Sequence, residues 1–445
     1  MSGIKKKTRL PRFCAVLLAA FSMLALSLPA SAAAETTADE TPAADAPAEQ
    51  EVLEFYHAYW HDEATWYPAV VMREIYQEFA DAHADGPVRF EPIAIEDLTG
   101  LYSSELASGR VPDMMDCAGS VKLEGAIAQN LLMDLKPYID ENGLEAQVGA
   151  NYEQNQVDGK IYTVSIGLAS IGMWVNTDVL EATGATMPEE WTTWEAFADA
   201  METVRVNGEA MGYYSYGSGQ GSIRMFNAAL AATPAGAEML KGPLTADAIN
   251  SEEFADAFRT VATLDQQNGS ANSSVNANDF AADFNNGLSA VFINGVWGAS
   301  QFAGSDNFVS CIYPNSVAIS SANTGLYVAN DLSDAQKELA LEFIKYMTSE
   351  EVQSRYFLET SSNPINENVD IQKLAQESGD PTALKLAEAC DKCNKADTIV
   401  LAIDVCWGND VGGALQNKFA ECAVAGTDIE AKLAELQAEL TALIG

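Results

Sequence analysis

Short strand-like segments alternate with longer amphipathic helical segments from Glu51 onward, and this alternation restricts the fold more than any other feature of the chain. The first segments follow in the order strand (residues 52–56), helix (67–80), strand (88–93), helix (97–108) and strand (112–116). In the first of these helices, Val71, Ile75 and Phe79 share one face. A strand–helix–strand order of this kind predicts an α/β architecture with a mostly parallel sheet.

Further helices are predicted at residues 122–130, 193–206, 251–268, 333–346 and 428–444. In the last of them, Leu433, Leu436 and Leu440 form an apolar stripe, and Thr427 with Glu430 has the pattern of a capping box. We expect this stripe to pack on its own lobe, and a coiled-coil seam is the alternative.

The chain is too long for one hydrophobic core, so we expect two or more lobes. Its 445 residues include 64 acidic and 24 basic ones, and the formal net charge is −40. A chain this acidic repels phosphate groups, so nucleic acid and anionic membrane surfaces are disfavoured as partners.

The first 32 residues have the pattern of an export signal. A basic start precedes an apolar run at residues 14–28, which is too short to span a bilayer comfortably. Ala30, Ser31 and Ala32 then follow in the small-x-small order that signal peptidase cuts. Cys14 precedes the apolar run instead of following it, so no lipid-attachment motif is found. We predict a signal peptide at 1–32 and a mature protein in the periplasm or at the cell surface.

Residues 33–50 consist of Ala, Thr, Pro, Gln and acids. A segment without large apolar side chains has nothing to bury, so we expect a disordered acidic leader. After it, no stretch reaches 18 consecutive apolar residues, which predicts a soluble mature chain.

Six cysteines follow the predicted signal peptide, and an even number in an exported protein permits disulfides. Cys390 and Cys393 form a CxxC pair, for which a local structural disulfide is favoured over redox chemistry or a metal site. The sequence leaves the pairing open for the full set, which is Cys117, Cys311, Cys390, Cys393, Cys406 and Cys422.

Seven short motifs follow one another between residues 55 and 364. They are FYHAYW (55–60), LASGRVPD (106–113), GAIAQNLLMDLKPYI (125–139), DGKIY (158–162), MWVNTD (173–178), FNNG with NGVW (284–287 and 294–297), and EFIKYM with NP (342–347 and 363–364). Their order resembles that of the family 1 extracellular solute-binding proteins, the sugar-capturing subunits of ABC importers, to which maltose-binding protein belongs. The resemblance extends over nearly all of residues 51–445.

This resemblance implies a two-lobe, periplasmic-binding-protein-like α/β fold with a hinge and a ligand cleft between the lobes. The chain would cross between the lobes near residues 168–172, 313–322 and 363–369. The expected first lobe then comprises residues 51–168 and 318–365, and the second comprises 169–317 and 366–445.

The resemblance also implies a function. The protein is expected to capture a carbohydrate, a di- or oligosaccharide, and to deliver it as a monomer to the transmembrane permease subunits of an ABC transporter with a separate ATPase. No cofactor is expected. The alternatives are a binding protein for a metal, polyamine or peptide, a secreted carbohydrate-active enzyme, and a sensor on the same fold.

Aromatic and acidic side chains are the candidates for ligand contacts, because an aromatic ring matches the apolar face of a sugar and a carboxylate matches its hydroxyl groups. Trp297 and Trp407 are assigned by the resemblance, and Trp297 also follows a strand-like run. Tyr59, Trp60 and Asp116 follow or end strands, where ligands bind in open α/β sheets. Core packing is the alternative for the tryptophans, and a helix N-cap is the alternative for Asp116. The full predicted set is Tyr59, Trp60, Asp116, Tyr216, Trp297, Tyr327 and Trp407.

His57, His61, Asp62 and Glu63 lie close together in the sequence, but if His57 ends a strand, the i, i+4 spacing of the two histidines does not put both rings on one face. We therefore expect no metal site there. GxSxG, HExxH and Walker motifs are missing from the sequence, which predicts that the chain is not an enzyme.

Overall fold

The computed structural model describes residues 50–217, 220–268, 277–302 and 304–445. The predicted signal peptide and nearly all of the predicted leader lie outside these residues.

Strands and helices alternate through most of the described chain. The strands are β1 (Glu51–His57), β2 (Val88–Ala94), β3 (Met114–Asp116), β4 (Gln156–Val157), β5 (Lys160–Ile161), β6 (Leu168–Asn176), β7 (Tyr214–Tyr216), β8 (Ser289–Gly295), β9 (Phe308–Cys311), β10 (Val317–Ala322), β11 (Leu326–Val328) and β12 (Thr398–Val400). The helices are α1 (Tyr67–Ala82), α2 (Leu98–Ala107), α3 (Glu124–Ala128), α4 (Lys136–Asn142), α5 (Glu145–Val148), α6 (Asn151–Gln154), α7 (Thr177–Thr183), α8 (Trp194–Gly208), α9 (Gln220–Ala231), α10 (Pro234–Met239), α11 (Ala246–Ile249), α12 (Glu252–Asn268), α13 (Ala277–Asn285), α14 (Ala299–Phe302), α15 (Asp334–Met347), α16 (Glu350–Thr360), α17 (Ile371–Ser378), α18 (Pro381–Asn394), α19 (Ile403–Cys406), α20 (Asn409–Cys422) and α21 (Ile429–Ile444).

The first lobe is built on a four-stranded sheet in the order β11-β3-β1-β2. β1 pairs in parallel with β2 and with β3, and only β11 runs antiparallel. Phe55 of β1 lies at the centre of the core, where its ring centroid is 4.9 Å from that of Tyr76 in α1 and 4.8 Å from that of Phe343 in α15. The prediction of a mostly parallel sheet is confirmed for this lobe.

The second lobe is built on a mixed sheet in the order β12-β10-β6-β8-β7, with β9 also paired to β6. β6 runs antiparallel to β8, β9 and β10, so the prediction of a mostly parallel sheet is wrong here. The reason is that β6 leads away from the first lobe and its neighbour β10 leads back to it, so the two strands run in opposite directions. β8 and β9 have the same direction as β10. Trp174 of β6 is buried and donates its Nε1–H to the carbonyl oxygen of Gly295 at 2.9 Å.

The chain passes between the two sheets at three neighbouring places. β6 begins at Leu168, whose N–H donates to the carbonyl oxygen of Asn363 in the last crossing at 2.9 Å. The middle crossing lies between Ala322 and Leu326, a few residues later than predicted. The cause is that β10 continues through residues 317–322 as a strand of the second sheet, paired with β6 and β12.

Glycine is required where two crossings meet. A Cβ atom on Gly325 would lie 2.4 Å from the carbonyl oxygen of Val164. Ser170, Ser320 and Asn363 form a buried hydrogen-bonded group that links β6, β10 and the last crossing, since the Ser170 hydroxyl lies 3.2 Å from that of Ser320 and accepts from Asn363 Nδ2 at 3.0 Å. Polar groups buried at the crossings are therefore paired with one another.

Two local predictions are wrong. Asp428, not Thr427, caps α21, because the Asp428 carboxylate accepts from the N–H of Ala431 at 3.1 Å. The expected Cys390–Cys393 disulfide is not formed, and both residues are buried free thiols in α18. Side chains three residues apart in a helix have Cβ atoms about 5–6 Å apart, which is farther than a disulfide allows.

Candidate functional site

A cleft with a volume of about 290 Å³ lies between the two lobes. Tyr59, Trp66 and Asp116 line it from the first lobe, and Trp297 lines it from the second. Its floor consists of the three crossing segments, with Ser165, Gly167, Asn323, Thr324 and Asn363 among the lining residues. Because the crossings form the floor, a rotation of one lobe about them changes the distance between the two walls.

The wall of the first lobe is a loop at residues 58–66, between the carboxyl end of β1 and the start of α1. Arg73 of α1 holds this loop, because one of its guanidinium nitrogens donates to the carbonyl oxygens of Tyr59 and His61 at 2.6 and 2.7 Å. Asp62 closes the loop by accepting from the N–H of Thr65 at 2.9 Å. The loop therefore has a defined shape before any ligand arrives.

Tyr59 and Trp66 form a stacked pair on this wall, with ring centroids 5.5 Å apart and planes 19° from parallel. Trp66 precedes α1 and makes no side-chain capping bond, and its ring is exposed to the cleft. Burial raises the pKa of Tyr59 well above its usual value, so its hydroxyl remains a hydrogen-bond donor at neutral pH.

Asp116 is the acidic group of the cleft and is almost fully buried at the end of β3. Its carboxylate accepts from the N–H of Ala118 at 3.0 Å and from the hydroxyl of Tyr76 at 3.5 Å. Burial raises the pKa of Asp116, although both of these bonds oppose the rise. The carboxylate therefore still has capacity to accept hydrogen bonds from a ligand.

The wall of the second lobe centres on Trp297, in a short 3₁₀ turn (Val296–Gly298) that follows β8. The indole folds back over Gly295, where an added Cβ would lie 2.1 Å from the ring. Glycine at 295 therefore sets the position of this ring, and the ring is exposed where it lines the cleft.

A charged pair lies beside Trp297. Arg224 of α9 makes a two-pronged ion pair with Asp404 of α19, in which Nη2 is 3.1 Å from Oδ2 and Nη1 contacts Oδ1. Burial raises the pKa of Asp404, but Arg224 outweighs this effect and the pKa is lowered overall. Arg224 and Trp297 both line a smaller recess of about 100 Å³.

A second chamber of about 550 Å³ adjoins the cleft, and the two share Ala118, Gly119, Asn323 and Thr324 in their linings. Trp407 lines this chamber with an edge, since most of its ring is buried against Phe254 and its Nε1–H donates to the carbonyl oxygen of Met239 at 3.2 Å. Lys122 of the first lobe and Asp410 of the second form an exposed ion pair of 3.7 Å, which contributes little stability.

The structure brings three of the seven predicted residues, Tyr59, Asp116 and Trp297, to one cleft. Trp407 lines the adjoining chamber, and Trp60 lies on the rim loop, where it stacks on His61. Their roles in binding remain predictions.

Two of the predicted residues lie in hydrophobic cores instead of the cleft. Tyr216 is fully buried and donates its hydroxyl to Asp265 at 3.1 Å. Tyr327 is fully buried beside Met115 and Tyr102. Both stand on strands, whose successive side chains point to opposite faces, and these two point into the core.

Sequence reasoning missed Trp66 and the polar floor of the cleft. The available signal for Trp66 was a large aromatic directly before the Tyr-Pro start of α1, where Ser, Thr, Asp or Asn is preferred. No local signal indicated Asn323 or Asn363, because they meet the cleft only when the lobes are assembled.

His57 and His61 face different surroundings. His57 is buried, and burial lowers its pKa to about 4, while His61 lies on the rim between Trp60 and Trp66. In the part of the chain that the structure describes, no three His, Cys, Asp or Glu side chains converge to hold a metal ion.

Comparison with known proteins decides the family. The sequence model of the bacterial extracellular solute-binding proteins matches residues 74–382. The chain belongs to this family. None of the curated proteins compared with the chain matches it.

Solved structures of other solute-binding proteins have the same fold. A Streptococcus pneumoniae solute-binding protein in complex with the blood group A-trisaccharide is 42% identical, with a TM-score of 0.82 over 88% of this chain and 100% of that chain. A chitin oligosaccharide binding protein is 18% identical, with a TM-score of 0.68 over 88% of this chain and 98% of that chain. An ABC substrate-binding protein from Listeria monocytogenes in complex with cycloalternan is also 18% identical, with a TM-score of 0.63 over 89% of this chain and 100% of that chain.

The expected fold is thereby confirmed as the two-lobe α/β fold of the solute-binding proteins, and these three relatives are binding proteins by description. The family is extracellular. Within residues 50–445, as far as the structure describes them, no helix is both long and apolar enough to cross a membrane.

Proposed function

We propose that this protein captures an oligosaccharide outside the cytoplasmic membrane and delivers it to the permease of an ABC importer. The ligand lies in the cleft between the lobes, and Tyr59, Trp66, Asp116 and Trp297 contact it. The chain binds the sugar without converting it and needs no cofactor.

One observation carries the proposal: two exposed tryptophans, Trp66 and Trp297, approach one cleft from different lobes beside the buried carboxylate of Asp116. Aromatic faces pack against the C–H face of a sugar ring, while carboxylate and amide groups bind its hydroxyls. A cleft made only of apolar groups would have no partners for the sugar hydroxyls. The 42% identical protein in complex with the blood group A-trisaccharide supports the same ligand class.

The mechanism follows from the position of the walls. Each lobe contributes part of the site, so a ligand that touches both walls binds the closed form more tightly than the open form and shifts the population toward closure. The closed form then docks on the transmembrane subunits, and ATP is hydrolysed on a separate subunit. A protein with this role is exported and acts as a monomer in the periplasm or at the cell surface.

The first test is thermal unfolding of residues 33–445 with a panel of mono- and oligosaccharides, with metal ions and polyamines as controls. A sugar at 100 times its Kd adds about 2.7 kcal/mol of stability, which raises the Tm by roughly 5–11 °C for lobes of this size. A shift with cations alone would contradict the carbohydrate assignment. Sustained loss of the sugar during incubation would indicate an enzyme instead.

The second test is the variant Trp297→Ala. Loss of one buried aromatic contact should weaken sugar binding by roughly 1–3 kcal/mol while the Tm without ligand changes little, because the ring is already exposed. Leu384→Ala is a matched control, since Leu384 is similarly exposed on α18 and lines neither the cleft nor the chamber. Equal affinity of the folded Trp297→Ala variant and the control would remove Trp297 from the site.

A further inference from the structure

Exposed aromatic rings are confined to one region of the described chain. The aromatic residues with more than a third of their surface exposed are Trp60 (44%), Trp66 (43%), Tyr67 (51%) and Trp297 (41%). Trp66 and Trp297 line the cleft, whereas Trp60 and Tyr67 lie outside its lining, within the same eight residues as Trp66. Large apolar side chains grouped on a surface mark a binding site more often than single ones do.

The rings form a continuous series from the cleft to the rim. Tyr59 stacks on Trp66 at 5.5 Å, Trp66 meets the edge of His61 at 5.6 Å, and His61 stacks on Trp60 at 4.0 Å, with the last two planes 25° from parallel. The Trp60 indole is thus supported on one side by His61 while a large part of it stays exposed.

The backbone under this series is held in place from inside the lobe. Arg73 binds the carbonyl oxygens of both Tyr59 and His61, and the N–H of Trp66 donates to the carbonyl oxygen of Asp62 at 2.9 Å. A ring on a preorganised loop loses little conformational freedom when a ligand stacks on it. Asp62 and Glu63 are exposed on the same loop and supply acceptors for hydroxyl groups, while their charge disfavours anionic ligands.

The cleft itself is at the small end of the range for ligand sites, which is about 300–1,000 Å³. An oligosaccharide longer than the cleft holds continues beyond its walls, either into the adjoining chamber or along the first lobe. The series of rings from Tyr59 to Trp60 offers such a continuation on the side of the first lobe.

We propose that Trp60 is the platform of an outer subsite, which stacks on a distal ring of a neutral oligosaccharide whose inner rings occupy the cleft. This inference rests on the proposed function and narrows it to neutral glycans that are longer than the cleft holds. Trp60 thereby sets the dependence of affinity on ligand length, whereas Trp297 sets the affinity for every length.

The test is isothermal titration calorimetry with three series of neutral glycans that differ in length: the blood group A trisaccharide with forms extended by one and two residues, raffinose with stachyose and verbascose, and chitobiose to chitohexaose. Wild type is compared with Trp60→Ala, Trp60→Phe, Trp297→Ala and the Leu384→Ala control. Circular dichroism and the ligand-free Tm confirm that each variant is folded.

In the series that binds, wild-type affinity should rise about fivefold when the ligand becomes one residue longer than the cleft holds, as expected for one added stacking contact. Trp60→Ala should abolish this rise and leave the affinity for the shortest bound glycan within about twofold, and Trp60→Phe should restore part of it. Trp297→Ala should lower the affinity for all lengths.

Two results would overturn the inference while the proposed function stands. One is an affinity that does not depend on length, and the other is a length dependence that survives in Trp60→Ala, which would place the additional rings in the chamber beside Trp407. Failure of every series to bind would overturn the carbohydrate assignment itself, and the outer subsite with it.

Discussion

Each lobe buries one aspartate, and the two have opposite relations to the cleft. Asp116 in the first lobe and Asp265 in the second are the buried carboxylates among the described residues, and each accepts a hydrogen bond from a buried tyrosine, Tyr76 or Tyr216. Burial raises the pKa of both, to about 7 for Asp265. Asp116 lines the cleft, whereas Asp265 lies in the core of its lobe.

The difference teaches that a buried carboxylate with a perturbed pKa does not by itself mark a binding site. Ionisable groups that serve only the structure also have perturbed pKa values, so access to a cleft is the observation that separates a candidate binding group from a structural one. We therefore expect changes at Asp265 to alter stability and changes at Asp116 to alter ligand binding.

The largest effect is expected from Asp265→Asn. Since the pKa is raised from 3.8 to about 7 in the folded state, the folded chain retains a proton that the unfolded chain releases, and the free energy of unfolding falls as the pH rises from about 4 to 7. At about 1.36 kcal/mol per pKa unit, this contribution is about 4 kcal/mol, and Asp265→Asn should remove it. Urea unfolding between pH 4 and pH 8 measures the free energy of unfolding against pH for wild type and for Asp265→Asn.

The control for this experiment is Asp85→Asn, which changes an exposed carboxylate. Its profile should run parallel to that of wild type. A parallel profile for Asp265→Asn as well would show that the buried acid does not contribute to the pH dependence.

The next effect is expected from Asp116→Asn. Hydroxyl groups of a ligand donate to the carboxylate and lower its raised pKa, so wild-type affinity should increase as the pH rises through that pKa. Replacement by Asn loses a charge-assisted bond of about 1.5–3 kcal/mol and should flatten the pH dependence. Calorimetry with the bound glycan at several pH values checks both expectations, and Asp265→Asn, which should bind normally, is the matched control.

The smallest effect is expected from the two tyrosines. Tyr216→Phe removes a 3.1 Å bond to Asp265 and should destabilise the chain by about 1.5 kcal/mol at pH 8, where the carboxylate is charged. Tyr76→Phe removes a longer bond of 3.5 Å and should have less effect on stability. Equal losses of unfolding free energy in the two variants, measured in urea at pH 8, would contradict this ordering.

The extents of several elements could be predicted from local pattern. The helix predicted at residues 251–268 is observed as Glu252–Asn268, and the one predicted at 333–346 as Asp334–Met347. Helical periodicity and caps act over a few residues, so a sequence window contains the necessary information. The same reasoning was one residue off at the start of α21, because Thr427 and Asp428 are both capable caps.

The candidate site was predictable only where a side chain ends or closely follows a strand that leads to the cleft. Tyr59, Asp116 and Trp297 met this condition, and the family resemblance also indicated Trp297. Tyr216 ends a strand as well, but its side chain points into the core, and the sequence does not distinguish these two faces when both are covered by helices. Trp66 was missed because it precedes α1 and so lies outside the periodic pattern of apolar residues that marks the helix.

The sequence by itself determined the order of strands and helices, the membership of a family through seven ordered motifs, and the supply of aromatic and acidic side chains. Tertiary structure decided which of those side chains share a cleft, where the chain crosses between the lobes, and which aspartate lines the cleft. The physical reason is range: periodicity acts between near neighbours, whereas the walls depend on contacts such as that of Trp174 with Gly295, 121 residues away in the chain.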